Sequence, residues 1–117
     1  MWKELYFIML FVSEYQEQLA EVFSRYKVVR AYLFGSAVRN DFNENSDVDF
    51  LIHFDKNLKD PLEKGKLWWD LHDELRDLLG REIDLVTENS LKNPYFIQEL
   101  NKTKFLIYDS EHQEIFV

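Results

Sequence analysis

Alternation of apolar and polar residues is strongest from Asp47 to Phe54. Val48, Phe50, Ile52 and Phe54 fall on one side of an extended chain, and Asp47, Asp49, Leu51 and His53 on the other. This predicts a strand with an apolar face and a second face carrying two carboxylates. REIDLVTE, residues 81–88, repeats the pattern, with Ile83 and Leu85 on one side and Glu82, Asp84 and Val86 on the other. VVRAYLF, residues 28–34, is β-branched and aromatic and stops at Gly35, which predicts a strand running into a tight turn. A last strand is expected around residues 105–108.

Between these segments the period becomes helical. Tyr15, Leu19, Val22, Phe23 and Tyr26 share one face over residues 13–26, and Ser13 followed by Gln16 predicts a capping box at the start. Asp60, Pro61 and Glu63 supply an N-cap, a first-turn proline and an acidic third residue. Leu67, Leu71, Leu75, Leu78 and Leu79 then form a stripe up to Gly80. A turn of helix and a polar loop are expected after Gly35, and a short helix near residues 94–100. Strands alternating with helices predict one α/β (α+β) domain: a small mixed sheet, helices packed on one face, and a site on the open, carboxylate-bearing face.

The length of 117 residues suits a single core, taken as residues 13–109 of one 1–117 domain. Residues 1–12 form an extension, with Met9 as an alternative start. The apolar run LYFIMLFV in that extension falls far short of the roughly 20 residues of a membrane helix. It also lacks the flanks of a signal peptide, so a buried strand or helical turn is the expectation. A net charge of −8 disfavours duplex nucleic acid as a partner. Zero cysteines exclude disulfides, zinc fingers and thiol catalysis and suit a reducing cytoplasm.

The carboxylates carry the chemistry. Asp47 and Asp49 point the same way, and Asp84 on a neighbouring strand can join them; at about 5 Å and an effective dielectric of about 20, each unpaired pair repels by roughly 3 kcal/mol. Such a cluster calls for a divalent cation, and hard oxygen ligands favour Mg²⁺, two ions in all, with Asp47, Asp49 and Asp84 as ligands. Gly35 and Ser36 at a strand-to-helix turn let a phosphate approach backbone N–H groups. Together these parts fit in-line phosphoryl or nucleotidyl transfer. The histidines read as packing or surface residues: His53 lies on the carboxylate face, and His72 and His112 lack partners at ligand spacing. Trp68 and Trp69 read as core or interface packing beside the leucine stripe.

Gly35-Ser36, ten residues, Asp47-x-Asp49 and a third carboxylate on a later strand resemble the signature of the nucleotidyltransferase superfamily that includes DNA polymerase beta. GSAVRN, SDVDFLIHF and LLGREIDLVTE are similar to the three motifs of its small stand-alone group, the minimal nucleotidyltransferases. Val38 and Asn40 replace a common Ala and Gly, and neither touches the metal ligands. The resemblance implies that Gly35, Ser36 and Arg39 hold the triphosphate of ATP, with Arg39 alternatively shaping the loop. It implies that Asp47 and Asp49 bind Mg²⁺ and that Asp84 serves the acceptor hydroxyl. It further implies an antitoxin that transfers AMP to a tyrosine of a HEPN-type toxin encoded nearby. Two alternatives stand beside it: a small-molecule enzyme of the aminoglycoside nucleotidyltransferase type, and a non-catalytic antitoxin that acts by binding alone.

Overall fold

The alternation of residues 48–54 organises the molecule. The computed structural model describes residues 10–35, 45–111 and 114–115. In chain order the elements are α1 (Gln16–Arg25), β1 (Val28–Phe34), β2 (Val48–Phe54), α2 (Pro61–Leu79), β3 (Ile83–Thr87), a 3-10 turn (Glu88–Ser90), α3 (Pro94–Thr103), β4 (Phe105–Asp109) and β5 (Glu114–Ile115). They form one five-stranded sheet in the order β3-β2-β1-β4-β5. β2 and β3 are parallel, joined by the α2 crossover, and the other pairs are antiparallel. The mixed α/β sheet expected from the sequence is therefore present.

Apolar residues of alternate strand positions meet two helices on one face. Val48, Phe50 and Ile52 of β2 and Ile83 and Leu85 of β3 pack with Leu19, Val22 and Phe23 of α1 and Leu71, Leu75 and Leu79 of α2. α2 has the ends its sequence encodes: the Asp60 side chain accepts from Leu62 N–H, and Gly80 closes the helix at φ 65°. α1 begins differently from expectation. Residues 10–13 are already helical, and the Ser13 hydroxyl donates back to the Leu10 carbonyl instead of capping the next helix. Tyr15 stands at the start of α1 without a side-chain cap. Residues 1–9 lie outside the described residues, and among the described ones no helix is long and apolar enough to cross a membrane.

The second face is not wholly open. Leu51, Phe34, Tyr32 and Val86 are apolar residues on that side, and α3 lays Leu100 over them. β3 lies at the sheet edge, where its outward carbonyls would otherwise invite another strand. Trp68 Nε1–H donates to Leu85 O at 3.1 Å, and His72 Nε2 lies 3.1 Å from Ile83 O. The two side chains of α2 thus hold the backbone on either side of Asp84.

His53 sits on the second face with Nδ1 3.1 Å from Glu88 Oε2. Its Nε2 is buried and has no hydrogen-bond partner among the described residues. Burial holds its pKa below the usual 6.5, aided by Lys104 and Arg30 and opposed by Glu88.

Two predictions follow from this packing. Leu75→Ala, at a fully buried position, costs about 2–5 kcal/mol in urea unfolding; Leu62→Ala, at a position 85% exposed, changes stability by less than about 0.5 kcal/mol. Because the unfolded chain protonates at His53 first, stability falls as pH drops from neutrality through 6.5 toward the lower folded value. Urea midpoints of His53→Gln decline less than the parent's over that window, and equal declines would remove His53 as the cause.

Candidate active site

The site is built where β1 ends and β2 and β3 begin. β1 stops at Gly35, whose φ of 65° is a conformation that side chains resist. The cause of the glycine is visible across the strand pair: a Cβ placed there would run into the Asp49 carboxylate, 2.9 Å from its Cγ. In the sheet register Asp49 is the partner of Phe34 on one side and of Asp84 on the other. Since Val48 and Phe50, and Ile83 and Leu85, point into the core, Asp49 and Asp84 project side by side from the second face.

Asp47 precedes β2 by one residue, and its flanks are pinned. Arg81 donates to Ser46 O at 3.0 Å, and Val48 N–H donates to Glu82 O at 3.0 Å. The same Arg81 guanidinium lies 4.8 Å from the Phe11 ring centroid. Asp47 and Asp84 are exposed and Asp49 is half-buried. Water therefore lowers the repulsion at the exposed groups toward about 1 kcal/mol per pair at 5 Å.

A cavity of about 290 Å³ opens beside Asp49 and Asp84. Gly35 and Phe34 form one side of it, and Phe96, Glu99, Leu100 and Thr103 of α3 the other. A larger cavity of about 610 Å³ lies toward the other end of β2, lined by Ile52, Trp68 and three lysines. It lies away from the three aspartates, so the smaller cavity is the candidate site.

Gly35, Asp47, Asp49 and Asp84 are thus placed at one end of the sheet. Ser36 and Arg39, with the helical turn expected after Gly35, lie outside the described residues. Among the described residues no three carboxylate or imidazole groups converge as a ready-made metal cage. The donor set still fits Mg²⁺, which binds through one or two carboxylates and completes its shell with phosphate and water. The space that a side chain at position 35 would take is filled by the Asp49 carboxylate, which the glycine lets sit against the end of β1.

Sequence reasoning missed Arg81 and the α3 wall. Phe96, Leu100 and Thr103 recur at helical spacing, a pattern that marks one face of α3. Arg81 gave no such signal, because its carbonyl partner is 35 residues away in the chain.

Comparison with known proteins extends the local geometry. The family described as Polymerase beta, Nucleotidyltransferase matches residues 17–113. A protein of Methanocaldococcus jannaschii, provisionally named a protein adenylyltransferase, is 39% identical over 84 residues, covering 72% of this chain and 79% of the relative. A solved toxin–antitoxin structure with AMP-PNP has a similar chain, at TM-score 0.60 and 21% identity, covering 80% of this chain and 73% of that one. A complex of a tri-AMPylated Shewanella oneidensis HEPN toxin with MNT antitoxin has another, at TM-score 0.52 and 19% identity, covering 82% and 75%. The family match runs from α1 through β4 and takes in Gly35, all three aspartates and the strands that carry them, so the chain belongs to the polymerase beta nucleotidyltransferase family.

Proposed function

We propose that this nucleotidyltransferase moves AMP from ATP to a tyrosine hydroxyl of a partner HEPN-type toxin and so acts as an antitoxin. The observation that carries the reading is the register of Asp49 against Asp84, with the Asp49 carboxylate seated against Gly35. The named activity of the 39% identical relative supports protein adenylylation. The AMP-PNP complex and the tri-AMPylated toxin complex support the donor and the partner class.

Asp47 and Asp49 would hold Mg²⁺, which when bound supplies the positive charge that offsets the triphosphate. Gly35, Ser36 and Arg39 are assigned to phosphate contacts by their place in the motif. Asp84 accepts the proton of the attacking hydroxyl. As the new bond from that oxygen to the α-phosphorus forms, the bond from the α-phosphorus to the bridging oxygen breaks. Pyrophosphate leaves, and the acceptor keeps the adenylyl group.

Incubation with ATP labelled at the α-phosphate, Mg²⁺ and the toxin encoded beside this chain should label the toxin. Removal of metal by EDTA should abolish the label. Outer-shell partners of metal ligands already cost about 10–100-fold when lost, so Asp47→Asn should reduce transfer by at least about 100-fold; transfer that survives it contradicts the reading. Gly35→Ala should reduce transfer by more than about tenfold, because strain of about 1–2 kcal/mol is joined by displacement of Asp49. Rates measured against a circular dichroism check of folding test this.

A further inference from the structure

We infer that the cavity between Asp84 and α3 is the acceptor subsite, and that Phe96 is a specificity-determining residue that receives the acceptor's aromatic ring. The inference rests on the proposed adenylyl transfer and extends it to residues that the nucleotide motifs do not include.

Three observations converge. The cavity touches Asp84 and Asp49 directly, so whatever enters it stands next to the reacting atoms. An acceptor whose own hydroxyl reacts must be there, whereas the base of ATP is separated from its α-phosphorus by the whole ribose. Second, at about 290 Å³ the space lies just below the range of whole small-molecule pockets and suits one side chain. On its α3 side, away from Gly35, the Glu99 carboxylate disfavours a phosphate and accepts a neutral ring with a hydroxyl. Third, the wall is aromatic and unfinished. Phe96 stands edge-on to Phe34 with centroids 6.2 Å apart, yet is 44% exposed, and its neighbour Tyr95 is 83% exposed. An exposed aromatic such as Phe96 in the wall of a cavity is the residue type enriched where a partner protein covers a surface. A phenol ring entering along Phe96 places its hydroxyl toward Asp84, and a serine or threonine hydroxyl would gain nothing from that wall.

The test measures initial rates of label transfer to the toxin, varying toxin and ATP separately, for the parent, Phe96→Ala, Phe96→Leu and Phe96→Tyr. Phe96→Ala should lower kcat/KM for the toxin about fivefold to tenfold and leave KM for ATP unchanged. Phe96→Leu, which keeps bulk without the ring, should recover only part of the loss, and Phe96→Tyr should restore it. Melting temperatures close to the parent's confirm that a half-exposed position has not unfolded the chain. A rise in KM for ATP alone would place the base in the cavity and overturn the inference, as would full recovery by Leu or no change at all. Those results leave adenylyl transfer intact; failure of the parent to label the toxin overturns both.

Discussion

Two like charges held side by side are the constraint on which the rest depends. Asp49 and Asp84 are register partners on adjacent parallel strands, and nothing in sheet formation favours that pairing. The fold tolerates it because the opposite sides of the same strands bury Phe50, Ile83 and Leu85. One residue of slip would exchange the carboxylates for those core residues. The register that fixes the core therefore fixes the site.

The surroundings hold this arrangement against relaxation. Trp68 and His72 hold the carbonyls of Leu85 and Ile83, on either side of Asp84, and Arg81 holds the carbonyl just before Asp47. On the other side of Asp49, Gly35 adopts a backbone that only a residue without a side chain fits. These are connections from elements distant in sequence, so the carboxylates stand on fixed backbone while those of Asp49 and Asp84 line the cavity. A binding surface alone would not require such alignment; transfer chemistry does.

Much of this was legible in the residues. The strand 28–34 and the caps Asp60 and Gly80 stand where local pattern and turn chemistry put them. The side on which Asp49 and Asp84 project followed from period-two alternation. The start of α1 was misread because Ser13 is inside an earlier helical turn, which a capping pattern cannot distinguish. The partial cover by α3 was missed although Leu51 and Val86, apolar residues on the carboxylate side, required something to bury them. The role of Arg81 was not readable, since it depends on two segments meeting only after the sheet has formed. Ser36 and Arg39 lie outside the described residues, so their part rests on the motif.

The most direct test of the central claim is the thermal stability of Asp84→Asn with and without Mg²⁺ and a non-hydrolysable ATP analogue. If Asp84 is held against Asp49 for the sake of charge, removing it raises the melting temperature in metal-free buffer, and Mg²⁺ with the analogue narrows the gap between variant and parent. A variant that melts below the parent in metal-free buffer would contradict the account, because Asp84 would then be a residue that stabilises the fold.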